Sequence, residues 1–153
     1  MNSFQIAPQS ALRVLITCVV PPALASDAVG GLIRVMRDRC ASARVAGLMV
    51  FDGGQVIHLL EGGQPAVERI AAGLLDDTRF DERVLRWRVA PVEGVLPERF
   101  QLVYPGEDDQ GGEGLLDPVF ACEGQAAFDA LLEVLPRLDH NGGVRAFGGQ
   151  DSP

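Results

Sequence analysis

Gly47-Leu-Met-Val-Phe-Asp-Gly-Gly-Gln-Val-Ile-His-Leu-Leu-Glu-Gly62 is the stretch that decides the fold. Two apolar runs, Leu48–Phe51 and Val56–Leu60, flank Asp52-Gly53-Gly54. Asp-Gly and Gly-Gly tolerate the positive φ angles of a tight turn, so the stretch predicts a β-hairpin. Along the first run Leu48 and Val50 face one way, Met49 and Phe51 the other, and all four are apolar. Strands that are apolar on both faces belong in the middle of a sheet covered on both sides. The second run holds one polar side chain, His58, on the same face as Val56 and Leu60. Left unpartnered in a core, such a group costs about 1–3 kcal/mol, which makes His58 the leading functional candidate.

On the N-terminal side, Leu12–Val20 predicts a first strand that Pro21-Pro22 ends. Ser26 offers an N-cap, and Val29, Leu32, Ile33, Met36 and Cys40 recur at helical spacing, giving a helix over about 27–40. Beyond the hairpin, Pro65 suits the first turn of a second helix, whose buried face is Val67, Ile70, Ala71 and Leu74. Val84–Ala90 alternates, with Leu85, Trp87 and Val89 opposite Arg86 and Arg88, as a half-exposed strand does. A short fifth strand fits Phe100–Tyr104. The order strand, helix, strand, strand, helix, strand is that of an α+β, ferredoxin-like (βαββαβ) sandwich, with its two helices on one face of the sheet. An acidic, glycine-rich linker is expected over 106–122, an amphipathic helix packed on the domain over 123–140, and a frayed tail over 141–153. That last helix, or a partner, is expected to cover the free face of the sheet.

Composition narrows the function. The formal charge of −8 comes from the C-terminal third: residues 1–105 balance 11 acidic against 11 basic groups, whereas residues 106–153 carry ten acidic groups against Arg137 and Arg145. An acidic tail repels phosphate backbones, so no nucleic-acid partner is expected. No lysine occurs anywhere, which removes a Walker-type phosphate loop and lysine Schiff-base chemistry. Cys18, Cys40 and Cys122 have neither metal spacing nor a disulfide pattern and read as reduced thiols. No apolar run reaches the roughly 18–20 residues of a membrane span, and Met1–Ser10 does not read as a signal peptide, so a cytoplasmic protein is expected. Two histidines, at 58 and 140, are too few to assemble a hydrolytic or metal constellation with these cysteines and carboxylates.

The hairpin, together with Ala66-Val67, Asp77-Thr-Arg-Phe80 and Arg99-Phe100, resembles the BLUF domain of flavin-binding blue-light sensors. In that family a Gly-Leu-Leu-Leu-Tyr-x-x-Gly-x-Phe-x-Gln-x-Leu-Glu-Gly segment forms the same hairpin, and the resemblance covers about residues 12–104. It implies a flavin pocket, with FAD as the ligand, and a role in signalling. The residues that do the family's chemistry differ here. The tyrosine that gives an electron and a proton to the excited flavin falls at Thr17 or its neighbour Ile16. The glutamine whose amide switches hydrogen bonds falls at His58, and the ring-contacting asparagine at Cys40. Of the Arg-His pair after the second helix only Arg79 remains, followed by Phe80. The tryptophan or methionine near the last strand becomes Val103 and Pro105. The cofactor-binding candidates implied by the resemblance are therefore Thr17, Cys40, His58 and Arg79.

Each candidate has an ordinary reading as well. His58 reads as a core histidine hydrogen-bonded to Thr17 or a backbone carbonyl, Cys40 as a small apolar residue, and Arg79 as half of a surface ion pair with Asp76, Asp77 or Asp81. Glu61 reads as a partner for turn amides. An acylphosphatase-type activity fails for want of a glycine-rich anion loop with an arginine. The expectation is a non-enzymatic regulatory module that has lost standard photochemistry, binds no cofactor and acts through a protein partner or as a homodimer. The alternative is a flavin- or small-ligand sensor with altered chemistry, taking FAD if the pocket survives.

Overall fold

The structure is a computed structural model that describes residues 10–24, 26–91, 93, 94, 96, 99–105 and 114–140. The elements are β1 (Ala11–Val19), α1 (Ser26–Ala43), β2 (Ala46–Phe51), β3 (Gln55–Gly63), α2 (Gln64–Leu75), β4 (Asp81–Val89), β5 (Phe100–Pro105), α3 (Asp117–Phe120), α4 (Gln125–Val134) and β6 (Leu138–His140), with a 3-10 turn between the last two. The six strands form one sheet in the order β4-β1-β3-β2-β5-β6. Only β2 and β5 run parallel; the other neighbours are antiparallel. This is the ferredoxin-like α+β fold, carrying the fifth strand.

Local chemistry explains the elements. The hairpin turns on Gly53, whose φ of 102° a side chain would resist. Asp52 Oδ1 accepts hydrogen bonds from the Gly54 and Gln55 amides, which closes the turn. Helix α1 ends where Arg44 takes a left-handed φ of 59° and the Val45 amide returns to the Cys40 carbonyl. Gly47 lets α1 lie close to the sheet: a β-carbon there would sit 3.0 Å from Phe100 Cδ1 and 3.1 Å from Cys40 Sγ.

Two cores lie back to back. On one face Val14, Ile16, Met49, Val56 and Leu60 pack under α1 and α2. On the other Leu15, Leu48, Val50, Ile57, Leu59 and Val103 pack under α3 and α4. The expected linker over 106–122 needs correction, since Leu115, Leu116 and Val119 are buried in this second core and 117–120 are helical. Its first part, 106–113, lies outside the described residues, as does the tail over 141–153. The expected helix over 123–140 also ends early, at Val134. Pro136 cannot supply an amide to continue it, and Leu138–His140 pairs with β5 instead. In β4 the regular alternation is broken. The register shifts between Leu15 and Ile16, which pair with Trp87 and Leu85, and this leaves Arg86 as a bulge. Arg86 then turns to the same face as Trp87, while Leu85 stays 41% exposed.

Leu131 on α4 is fully buried against the second core. Leu131→Ala is expected to destabilise the protein by about 2–5 kcal/mol through the cavity it leaves. Urea denaturation of the full chain measures this, and an unchanged midpoint would show that α4 does not dock.

Candidate functional site

Strand register decides which candidates can meet. Ile16 of β1 and Met49 of β2 are both opposite His58 of β3, so the three form one row across the sheet. The next row is Val14, Leu60 and Gly47, and Cys40 of α1 sits on Gly47. His58 and Cys40 are thus on the same side of the sheet, one row apart. Thr17 is not with them. Side chains alternate along a strand, and Thr17 points to the α4 side, where Arg86 Nε donates to its Oγ1 at 2.9 Å. Arg86 Nη1 donates to the Cys122 carbonyl from the same place. The residue beside His58 on β1 is therefore Ile16, and the expected Thr17–His58 hydrogen bond is excluded by geometry.

Arg79 is also apart. It lies in the turn after α2 with half its side chain exposed, held by Asp77 through Nε–Oδ1 at 2.9 Å and Nη2–Oδ2 at 2.7 Å. This bidentate pair of hydrogen bonds holds the Asp77 carboxyl below its usual range and raises the Arg79 guanidinium. Burial pushes the Cys18 thiol up to about 12 and the Cys40 thiol up to about 11, so neither is a thiolate at neutral pH. Among the described residues no group of three or more His, Cys, Asp or Glu could hold a metal.

His58 remains. It is 1% exposed, and neither Nδ1 nor Nε2 has a hydrogen-bond partner. Desolvation lowers its pKa from 6.5 to about 4, so the ring is neutral. A neutral imidazole presents one donor and one acceptor, and among the described residues neither is met here.

Sequence reasoning also missed groups. Glu61 accepts from Arg13 Nε at 2.9 Å as a buried ion pair, a contact that sequence reasoning did not foresee. The hint was that Arg13 and Glu61 interrupt otherwise apolar strands at positions that become register partners. Gln101 of β5 is buried with both amide atoms unpartnered. It sits beside Leu48, on the α4 face.

Residues 13–91 match the BLUF family, sensors of blue-light using FAD. The chain belongs to the BLUF family. Solved structures agree in fold. BlrB, a BLUF protein in its dark state, superposes with a TM-score of 0.66 at 14% identity, over 83% of this chain and 96% of that one. BlsA in its photo-activated state gives 0.67 at 15%, over 82% and 94%. A bacterial light-regulated adenylyl cyclase gives 0.60 at 12%, over 82% of this chain but 36% of the cyclase. No curated protein matches the chain by sequence.

The residues present do not fit the ring system of FAD. An enclosed isoalloxazine needs several donors and acceptors around its carbonyls and ring nitrogens. Beneath α1 and α2 the described buried side chains are apolar or thiol, with His58 as the only other polar group. Leu32 and Met36 of α1 and Ile70 and Leu74 of α2 are buried in the same core.

His58 generates a pH signature. The unfolded chain takes its proton near 6.5, the folded chain only near 4. Stability from this group is therefore full above about pH 6.5, falls as pH drops towards about 4, and is level below that. The loss is on the order of 3 kcal/mol. His58→Leu is expected to remove this loss and, by deleting two unpartnered atoms, to raise stability at neutral pH by about 1–3 kcal/mol. The difference between wild-type and variant denaturation curves across pH checks both. An NMR titration placing His58 above 6.5 would contradict them.

Proposed function

We propose that this chain is a non-enzymatic BLUF-type regulatory module that has left standard flavin photochemistry behind and acts by binding a protein partner or a second copy of itself. One observation supports the reading: Ile16 and His58, positions at which the sequence resemblance puts the family's photoactive pair, are opposite each other in the sheet. Isoleucine has no electron to give to an excited flavin. Imidazole has no amide to rotate. Cys40, in place of the ring-contacting asparagine, is a protonated thiol at the floor of α1. The partner-binding half of the reading is supported by β4, an edge strand whose outer side no described strand pairs.

A second reading has its own support. The two unpartnered nitrogens of His58 would accept a ligand bearing one donor and one acceptor, if α1 and α2 parted. That is a sensor with altered chemistry in the old pocket, for flavin or another small molecule.

Incubation with FAD separates them. The wild-type protein, desalted after incubation, is expected to show no visible flavin band and no red shift under blue light. Stoichiometric flavin with a light-dependent shift would overturn the first reading. The triple variant Ile16→Tyr, Cys40→Asn, His58→Gln puts the family's polar groups at the positions the sequence resemblance suggests, and is expected to take up flavin where the wild type does not.

A further inference from the structure

The flank of α1 that faces away from α2 borders a second opening. It is a cleft of about 850 Å3 between the C-terminal part of α1, the start of β5 and, after β4, Pro91, Glu93, Gly94 and Leu96. Buried Cys40 and Phe100, with Gly62, lie at its base, and Arg37, Arg44 and Arg99 line it from three stretches of chain. The α1–α2 crevice is separate: there Arg39 and Ser42 of α1 face Arg69 and Ile70 of α2.

We propose that this cleft binds an organic phosphate of nucleoside-monophosphate size, with the phosphate on the guanidiniums and the flat base on the apolar wall beside Phe100. Guanidinium forks match phosphate oxygens two at a time. Among the described residues none of Arg37, Arg44 and Arg99 is in an ion pair, unlike Arg13, Arg79 and Arg88. Among the described residues two carboxylates also line the cleft, but Glu61 is paired with Arg13, which leaves Glu93 beside three cations. The C-terminus of α1 opposes an anion with roughly half a negative charge. Two of its carbonyls, those of Cys40 and Ala41, are already bonded to the Val45 and Arg44 amides. The local balance is therefore positive in a chain whose net charge is −8.

The rest of the lining selects against a bare inorganic ion. The Arg37 guanidinium carbon lies 5.9 Å from the centroid of the Phe100 ring, which sets a flat cation against an aromatic face. Val45, Ala46, Pro91 and Leu96 add apolar surface. A cleft of this volume falls within the range of small-molecule sites, and a single phosphate leaves most of it empty. The proposal is independent of the flavin question, because the two sites lie on opposite flanks of α1.

Isothermal titration of the full chain with AMP, adenosine and inorganic phosphate tests it. AMP is expected to bind at least ten-fold tighter than either adenosine or phosphate, and to weaken as salt rises. The double variant Arg37→Gln, Arg99→Gln is expected to lose about ten-fold per guanidinium. Both arginines are exposed, so a thermal melt of the variant is expected to match the wild type. Arg88→Gln, which removes an exposed pair with Glu68 outside the cleft, serves as the control and leaves the affinity unchanged. No heat of AMP binding, equal affinities for AMP and phosphate, or AMP binding that survives the double variant would each overturn the assignment. No step of the experiment involves flavin, so its failure leaves the regulatory reading where it stood.

Discussion

The burial of the three central strands on both faces is the constraint from which this structure follows. Strands β1, β3 and β2 carry apolar side chains at almost every position, so each face of the sheet needs a roof. Two helices between strands, α1 and α2, roof one face, as the connectivity of a split βαβ unit requires. Nothing in that unit can roof the other. The buried side chains of α3, α4 and the turn after α4 do so, and β6 then extends the sheet beside β5. The C-terminal segment is therefore part of the fold's hydrophobic arithmetic. At about 25 cal/mol per Å2 of apolar surface kept from water, a whole uncovered face would outweigh the stability of a domain this size.

Within this apolar frame one ion pair links parts that the sheet alone does not connect. Arg13 joins Glu61 across β1 and β3, and its Nη2 donates to the Glu93 carbonyl in the loop after β4. The same guanidinium lies 5.8 Å from the Trp87 ring centroid and 5.5 Å from that of Phe128, two rings stacked 4.4 Å apart. The loop is seated so closely that a β-carbon at Gly94 would come within 2.5 Å of Glu61 Oε2. Buried pairs add little net stability, but removing one partner strands the other's charge at about 3–5 kcal/mol. Such a pair specifies arrangement. Here it ties Glu93, which lines the cleft, to the ends of β1 and β3.

Much of this was legible in the sequence because it rests on short-range rules. Asp52-Gly53-Gly54 marks a turn by its φ requirements, and α1 and α2 announce themselves by period. The βαββαβ order then leaves few topologies. What could not be read depends on register and on contacts distant in sequence. A one-residue difference on β1 separates Ile16 from Thr17, and it puts them on opposite faces of the sheet. The β4 bulge is likewise invisible: Leu85-Arg86-Trp87 alternates perfectly on paper, yet the extra residue sends Arg86 to Thr17. The stretch over 117–120 escaped because four residues are too few to show a helical period.

His58 shows where stability and history part company. A core this apolar would be better served by leucine, since two buried nitrogens without partners are a standing cost. Departures from local packing rules of this kind concentrate at functional or strained sites. His58 is opposite Ile16 of β1 and Met49 of β2, in a row whose other members are apolar. Relief of that cost requires a partner for each nitrogen, and the cheapest source is a polar group carried in by a ligand or exposed by movement of α1 against α2. A closed, neutral, unpartnered imidazole is thus a state that any donor–acceptor group entering the row would stabilise. The same physics that makes His58 a poor core residue makes it the point at which this fold is easiest to bias.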